Sequence, residues 1–426
     1  MRKIALSAAL LPLLAWADEP ASSTFGSSFS QTAFIPDISL IVDASYVNRN
    51  KTNDEVAHLE IPGVAHGLIG SHSHGGATHA TYNASEGFNL NYAELAISST
   101  VDPYFTLDGV LHISENSIEI EEAYFTTTSL PYGFRLKGGK FLSDFGYLNS
   151  RHAHVWDFAD MPLVYQAFLG DHGIDDIGVQ LQYLIPAPFY WMIGGEALQG
   201  NNEAMFGNKT IPEGFEPDEA WVKGSNPPTL FVAYTKASFD IGDTTFLGGL
   251  SYARGASNLD HLDDEEPHAF SGMSSLYGAD LVVKHYFDSY SYLKWQSEWL
   301  YRDMDGTQYV PADENLSTYD STAMTKKQSG YYTQLVYAMN QNWRVGGRID
   351  SIYRNDVTAG GSKVPLPDNF NRYTAMIDYS PSEFSRFRLQ YNHNDALYNE
   401  EGERQNVDTV ILQANLAIGA HGAHSF

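Results

Sequence analysis

The sequence predicts an all-β fold: a transmembrane antiparallel β-barrel of about sixteen strands, with long external loops and a third long loop folded inward. Three observations support this prediction. Apolar and polar residues alternate with a period of two in many segments, and short and long connections follow one another along the chain. In addition, no segment beyond the N-terminus reaches the roughly eighteen apolar residues that a membrane-spanning helix requires.

The alternation indicates strands with one apolar and one polar face. It is clearest in residues 105–113, 179–185, 293–299, 386–392 and 409–416. In a membrane barrel the apolar side chains of such strands contact lipid, and the polar side chains face a wet interior. A soluble β-sandwich alternates in the same way, so the connections between the strands decide between the two folds.

The connections fall into two classes of length. Short turns are predicted at residues 102–103, 130–133, 186–188, 240–243, 288–289, 340–342 and 380–382. Longer segments are predicted at residues 51–87, 143–176, 198–229, 255–275, 303–329, 355–369 and 396–405, with one tight turn at 114–117 on the same side. The strands between them number about sixteen, an even number that places both chain ends on the short-turn side. A barrel of this size leaves a water-filled channel.

The composition excludes some functions. A formal net charge of -27 makes nucleic acid an unsuitable partner, and it would attract cations; alternatively, acidic loops serve only to keep the protein soluble. The chain has 27 Tyr, 23 Phe and 7 Trp, which suits the aromatic girdles of a membrane barrel, and it has no Cys. It also lacks a nucleophile elbow, a phosphate-binding loop and a zinc-protease helix, so no enzymatic activity is predicted.

The N-terminus predicts export. Arg2 and Lys3 precede a short apolar run that ends at small residues, so residues 1–17 are predicted to be a signal peptide. Residues 18–34 are predicted to be a flexible lead-in on the periplasmic side, and residues 35–426 the barrel. Phe426 ends the last predicted strand, which resembles the assembly signal of outer-membrane barrels. We therefore expect a location in a Gram-negative-type outer membrane, with membrane lipid and the barrel assembly machinery as partners.

Two loop clusters are candidate metal sites because imidazole and carboxylate groups bind zinc and similar cations. The first long loop contributes His58, His66, His72, His74 and His79. A second external cluster contributes His261, Asp263, Asp264 and His268. The alternatives are a merely polar, Gly-rich loop in the first case and a solvated charged face in the second.

The third long connection, residues 143–176, is apolar and aromatic, unlike the others. An exposed loop of this composition would be adhesive, so we expect it to fold into the barrel and narrow the pore. The predicted constriction pairs loop groups with arginines on late strands: His152, His154, Asp157, Asp160, Arg344, Arg348, Arg386 and Arg388. Their opposed charges predict a transverse field that selects small polar or charged solutes. Alternatively, the arginines only pair with loop carboxylates and fix the loop.

Several segments resemble a known family. They are residues 36–41, the His-rich first loop followed by residues 87–90, and residues 101–105, 121–125, 140–142, 146–149, 152–158 and 419–426. Together they resemble bacterial outer-membrane proteins described as zinc-regulated and often labelled TonB-dependent receptors, which are similar to phosphate-selective porins.

The resemblance implies an outer-membrane role linked to zinc or another divalent cation, which would be a bound or transported ion and not a required cofactor. The kinship with porins implies a homotrimer. A TonB-dependent receptor has an N-terminal plug and a barrel of about 22 strands, whereas few residues precede the first predicted strand here. The sequence therefore predicts a porin-like channel for small solutes, linked to uptake of a divalent metal. The alternatives are a TonB-dependent metal receptor and a surface-binding barrel without an open pore.

Overall fold

The computed structural model describes residues 36–419, except residues 70, 75, 76, 81, 116, 203, 217, 218, 264–266 and 314; of residues 71–74 and 77–80 it describes only the backbone. The predicted signal peptide, the predicted lead-in and Phe426 lie outside the described residues. Among the described helices, none has both the length and the apolar character needed to cross a bilayer.

The described chain forms a closed antiparallel barrel of 16 strands, as the alternation predicts. The barrel strands are β1 Asp37–Arg49, β2 Gly87–Asp102, β3 Phe105–Ile113, β4 Ile118–Thr127, β5 Phe134–Leu142, β6 Asp175–Leu184, β7 Tyr190–Leu198, β8 Leu230–Ile241, β9 Thr244–His261, β10 His268–Tyr286, β11 Tyr292–Pro311, β12 Tyr319–Ala338, β13 Trp343–Ala359, β14 Phe370–Ser382, β15 Ser385–Tyr398 and β16 Arg404–Gly419. Each strand pairs with the next along the chain, and β1 closes the barrel by pairing with β16 from Ser39–Gly419 to Arg49–Thr409.

Short helices and strands lie in the connections. The helices are α1 Asn53–Ala57 and α2 Leu163–Leu169, with 3-10 turns at Pro131–Gly133 and Ala153–Val155. The extra strands are Glu60–Ile61, Ala65–His66, Ser71–His74, Ala77–Ala80, Asn201–Asn202, Phe206–Gly207 and Ser362–Lys363. Apart from the last, these strands lie in two of the long connections, those before β2 and before β8.

The outer surface of the barrel is apolar and aromatic. Leu107, Leu181, Leu250, Leu335 and Leu389 are among the exposed residues of its middle band. Exposed aromatic rings flank this band near the short turns, at Tyr104, Tyr132, Trp191, Phe239, Phe287, Trp343, Tyr379 and Phe384. Towards the long connections they include Tyr46, Phe88, Tyr277, Trp299, Tyr353 and Tyr391. An apolar band between two aromatic girdles is the surface that a barrel presents to a bilayer.

Two long connections were predicted wrongly. Residues 255–275 and 303–329 were predicted to be loops, but β9 continues to His261 and β10 begins at His268, and β11 continues to Pro311 and β12 begins at Tyr319. The predicted connections 355–369 and 396–405 likewise shorten to 360–369 and 399–403. In the first two the strands still pair, for example Gly255 with Ser274, although the alternation has disappeared. Residues 255–259 of β9 are all buried because the connection before β8 packs on them, whereas β11 and β12 are partly or fully exposed on both faces beyond residue 304 and before residue 328. In neither case does burial alternate along the strand, so composition does not distinguish strand from loop.

The first long connection does not remain outside as a free loop. Ile61, Val64 and Leu68 are buried in the same core cluster as the third long connection. Wall side chains hold its backbone: Arg302 donates to the carbonyl of Val64 at 2.7 Å, and Asn355 donates to that of Pro62 at 2.8 Å. This segment therefore covers the lumen from the side of the long connections.

Candidate functional site

The third long connection, residues 143–174, is called the luminal loop below. It leaves the long-connection end of β5, fills the lumen as the composition predicts, and returns through α2 to β6. Phe145, Tyr165 and Phe168 are 0% exposed and pack in one apolar cluster with wall residues such as Leu300 and Tyr332. Burying such side chains is worth roughly 1.5–3 kcal/mol each, so the loop has a strong reason to stay inside the barrel.

One wall carboxylate fixes the middle of the luminal loop. Glu298 on β11 accepts the backbone N–H groups of Tyr147 at 2.8 Å and Leu148 at 3.0 Å. It also accepts the hydroxyl groups of Tyr165 and Tyr332. Each such hydrogen bond contributes about 0.5–1.5 kcal/mol net, and four converge on one side chain, so this contact orders the loop as well as burying it.

The luminal loop reaches the short-turn end of the barrel at Asp157. One oxygen of Asp157 lies 2.9 Å from Lys294 Nζ and accepts a hydrogen bond from Gln334 at 3.0 Å, and the other lies 3.3 Å from Arg344 Nη1. Arg344 also pairs with Asp378. Burial disfavours the charged form of Asp157, but Lys294 and Arg344 outweigh it and hold the pKa of that carboxyl below its usual range.

Asp160 forms a second contact with the same wall. Arg348 donates to its Oδ1 at 2.9 Å, and Arg372 lies 3.3 Å from its Oδ2. Gln390 and Asn392 donate to the two oxygens at 2.7 Å and 2.9 Å. Both guanidinium groups are buried and share Asp350 as a second anion. Strands β13, β14 and β15 thus form a basic wall against which the loop carboxylates dock.

The remaining predicted arginines contact backbone atoms of the luminal loop. Arg386 donates to the carbonyl oxygen of His154 at 2.8 Å, and Arg388 donates to that of Trp156 at 3.2 Å while pairing with Asp378. All four predicted arginines therefore project inward, as the alternation indicates, and all four contact the loop or its anions. This is the geometry expected if the arginines fix the loop.

The sequence predicts that His152 and His154 belong with the acidic loop residues that oppose the basic wall. They instead face an acidic wall formed by Glu94 on β2 and by Glu121 and Glu122 on β4. His152 Nε2 lies 2.9 Å from Glu122, and His154 Nδ1 lies 3.0 Å from Glu94. Burial opposes protonation of His152, but the carboxylates of Glu121 and Glu122 outweigh it and raise the pKa of the imidazole well above its usual range.

Two small cavities lie beside the luminal loop, one at the acidic wall and one at the basic wall. One of about 20 Å³ is lined by Glu121, His152 and Asp175, and one of about 60 Å³ by Asp157, Lys294 and other residues. The side chains of Arg151 and Trp156 border both cavities. Because one water molecule needs about 10–15 Å³ of such space, each cavity holds a few water molecules at most.

A wider vestibule lies at the short-turn end. It encloses about 260 Å³ and is lined by Tyr286, Tyr292, Asn340 and Arg344, among other residues. Lys284 stands over the rings of Tyr286 and Tyr292 at 4.8 and 4.3 Å. This approach to the basic wall is therefore aromatic and positively charged.

The structure brings together three of the predicted external metal ligands. The ring of His268 lies 5.8 Å from that of His66 and is stacked 5.2 Å from that of His261, so the two predicted clusters meet at the long-connection end. His66 Nδ1 lies 2.8 Å from Glu60. His58 is separate, 3.9 Å from Glu400, and Asp263 is exposed. Asp264 lies outside the described residues, as do the side chains of His72, His74 and His79.

Sequence reasoning missed the acidic wall because a β-bulge hides it. The pairing of β3 with β4 shifts between Val110, which pairs with Glu122, and Leu111, which pairs with Ile120, so Glu121 is an extra residue. A bulge interrupts the alternation and re-aims side chains. Consequently the neighbours Glu121 and Glu122 are both largely buried and contact the luminal loop. Two consecutive glutamates inside an alternating strand are the signal that could have indicated it.

The chain is similar to solved structures of outer-membrane proteins. An anion-selective porin from Comamonas acidovorans aligns with a TM-score of 0.51 and 9% identity, covering 90% of this chain and 99% of that one. OprB of Pseudomonas putida aligns with a TM-score of 0.49 and 10% identity, covering 91% and 94% of the two chains. At such low identity the similarity to the Comamonas porin shows the fold alone, a closed 16-strand antiparallel barrel of the porin type.

No family model matches the chain. A protein of Aquifex aeolicus (strain VF5), described as an uncharacterized protein, is 47% identical over 402 residues, which are 94% of this chain and 82% of that protein. The implied link to zinc-regulated proteins stays a prediction. At this identity and coverage the two sequences share one fold, and the chain belongs to the same protein family as the Aquifex aeolicus protein.

Proposed function

We propose that this protein is a porin-like channel of an outer membrane for small polar or charged solutes, in which the luminal loop forms the constriction. The observation that carries the proposal is the position of that loop, which crosses the lumen between an acidic and a basic wall. Charged groups at a narrow point of a pore set its selectivity. The bilayer-facing apolar band, the aromatic girdles and the porin-type fold support the location.

The volumes of the two cavities beside the luminal loop indicate the size of solute for which the docked conformation leaves room. Because these cavities hold only about 20 and 60 Å³ beside the loop, we expect solutes larger than water and small ions to require the loop to move. The fixed charges on the two walls then orient a dipolar solute across the lumen. A surface-binding barrel without an open pore is the alternative, since the same contacts would hold a permanent plug.

The absence of cysteine makes a sharp test practicable. Gln334 faces the lumen and contacts Asp157, whereas its neighbour Leu335 faces lipid. In planar bilayers we expect a positively charged thiol reagent to reduce the conductance of Gln334→Cys and to leave Leu335→Cys unchanged. Liposome swelling should admit small sugars or amino acids and exclude larger ones. A purified protein without conductance or swelling would be a closed barrel, and equal sensitivity of the two variants would place the current elsewhere.

We propose further that the long-connection end captures a divalent cation for uptake. The meeting of His66, His261 and His268 favours this role, because imidazole groups from two connections converge there. Zn²⁺ titration of the purified protein should show weaker binding when the three histidines are changed to Ala. Unchanged binding would remove this role. Uptake that depends on the proton motive force would favour a TonB-dependent receptor over a passive channel.

We also propose an oligomeric state and a route of export. A homotrimer fits the porin-type fold, and export through a signal peptide at residues 1–17 fits the membrane location. Chemical cross-linking of the purified protein in detergent should give a trimer band, and the mature N-terminus should begin near Asp18. A monomer band alone would exclude the trimer.

A further inference from the structure

A group of potential metal ligands lies inside the barrel, away from the predicted external clusters. One ligand atom each of Glu94, Glu121 and His152 lies within 4.8 Å of the other two. His152 Nδ1 is 3.3 Å from Glu121 Oε2 and 3.7 Å from Glu94 Oε2. Within the described part of the chain, neither His152 Nδ1 nor Glu121 Oε2 forms a hydrogen bond of ordinary geometry, although both atoms are buried.

These separations fit two ligands of one ion. Zinc binds nitrogen at about 2.0–2.1 Å and carboxylate oxygen at about 2.0–2.2 Å, so two ligands at a tetrahedral angle lie about 3.4 Å apart. The opposite charges of His152 and Glu121 attract, but neither buried atom forms a hydrogen bond of ordinary geometry with a described residue, so each has an unfilled position. A cation between them would satisfy His152 Nδ1 and both carboxylates together.

The surroundings of His152 match those of a metal ligand. A ligating histidine usually gives its other ring N–H to a carboxylate, which fixes the tautomer and the ring orientation. Here His152 Nε2 lies 2.9 Å from Glu122 Oε2, and the other oxygen of Glu122 accepts the backbone N–H of Leu142 at 3.0 Å. His154 orients Glu94 in the same manner, through a contact of 3.0 Å.

The local backbone explains why these groups converge. Without the bulge at Glu121, strict alternation would direct Glu121 and Glu122 to opposite faces of β4. The bulge lets one glutamate face the imidazole edge and its neighbour hold the opposite ring nitrogen. Bulges of this kind are over-represented beside functional sites because they re-aim side chains.

We propose that Glu94, Glu121 and His152 bind a divalent transition metal, with Zn²⁺ as the representative ion, at the acidic wall of the lumen. A mixture of imidazole and carboxylate favours zinc and its neighbours over Ca²⁺ and Mg²⁺, which prefer oxygen alone. Three protein ligands leave a coordination position open, and Glu121 and His152 line the adjoining cavity. The site therefore suits an exchangeable ion. This inference goes beyond passive conduction, which needs no bound ion.

The test measures Zn²⁺ binding by the full-length protein in detergent. This measurement does not depend on conductance. The external histidines His58, His66, His72, His74, His79, His261 and His268 are first changed to Ala, so that they cannot contribute. Competition with a chromogenic chelator should then give one Zn²⁺ per chain, and X-ray absorption should show imidazole nitrogen and carboxylate oxygen ligands. We expect His152→Ala and Glu121→Gln to lose this ion and Glu122→Gln to bind it about 10- to 100-fold more weakly.

Glu119→Gln is the matched control, because Glu119 lies on the same strand and contacts Ser117 instead of the cluster. It should bind Zn²⁺ like the parent, and circular dichroism should show β structure in every variant. No bound ion in the parent, binding that survives His152→Ala and Glu121→Gln, or an X-ray absorption spectrum without imidazole would each overturn the site. Conductance without zinc binding would refute the site and leave the channel intact, whereas zinc binding without conductance would do the reverse.

Discussion

Asp160 is the contact whose loss should most directly release the luminal loop. Asp160 and Asp350 together balance the buried cations Arg348 and Arg372. Removing one partner from a buried ion pair costs about 3–5 kcal/mol, because it leaves an uncompensated charge. Asp350 stays within 2.9 Å of Arg348 and 3.3 Å of Arg372, so the lower end of that range applies to Asp160→Ala. A cost of about 3 kcal/mol shifts the equilibrium between docked and released loop roughly a hundredfold.

The assay is single-channel recording in planar bilayers. Asp160→Ala should increase the fraction of time spent in a high-conductance state, by up to roughly a hundredfold where the parent is almost always docked. Asp356→Asn is the control, since Asp356 forms ion pairs with Arg354 and Lys363 at an exposed position, where such pairs are worth about 0–1 kcal/mol. The double variant Asp160→Ala, Arg372→Gln removes one cation with the anion and should recover part of the docking. An Asp160→Ala channel indistinguishable from the parent would refute the claim that this ion pair holds the loop.

Three further predictions test the basic wall and the apolar packing. Changing Arg386 and Arg388 to Ala removes donors to the loop carbonyls, so conductance or ion preference in bilayers should change; an unaltered reversal potential and conductance would exclude a role for this wall. Asp157 has a lowered pKa, so its charge acts fully above the unfolded value of about 3.9 and is lost as pH falls through the folded value. Parent and Asp157→Asn channels should therefore differ from pH 7 down to about pH 4 and converge only below it, whereas convergence near pH 6 would contradict that assignment. Phe168 is fully buried under Arg302, so Phe168→Ala should cost about 3–5 kcal/mol of loop packing. Proteolysis should then cut within residues 143–174 while the wall, and with it the temperature of barrel unfolding on gels, stays unchanged; a protected loop would argue against the packing.

The barrel could be predicted from the sequence because apolar and polar side chains must alternate along each strand. Lipid requires apolar side chains on the outer face, and the wet interior requires polar ones on the inner face. Arg386 and Arg388 illustrate this, since they alternate with Phe387 and Leu389 and occupy the predicted faces. The inward position of the luminal loop could be predicted for a related reason. Residues such as Phe158 and Phe168 have no stable place in an exposed loop, and the lumen is the nearest volume that can bury them.

Three features of the structure could not be predicted from the spacing of apolar and polar residues. The inward fold of the first long connection depends on Ile61, Val64 and Leu68. Their i, i+3, i+7 spacing is that of a helix, but the Gly and Pro residues between them disfavour one, so the spacing predicts no element. The full length of β9 to β12 was not predicted because the two-residue alternation is lost beyond the girdle, where β9 is buried on both faces and β11 and β12 are partly or fully exposed on both. The bulge at Glu121 reverses the face assigned to every residue on one side of it, so a reading that extends the alternation from Ile118 and Ile120 directs Glu122 towards lipid.

The two walls differ in how their charge is compensated, and this difference decides where a cation can be held. On the basic wall, Arg344 and Arg348 meet fixed anions such as Asp157 and Asp160, whatever the pH in the physiological range. On the acidic wall, Glu94, Glu121 and Glu122 meet imidazoles, whose protons a metal ion can replace. The luminal loop thus neutralises the arginines with carboxylates and presents histidines to the glutamates. A cation that enters the lumen could therefore replace protons at the acidic wall but not at the basic wall. The acidic wall is also where the ligands of the proposed zinc site converge.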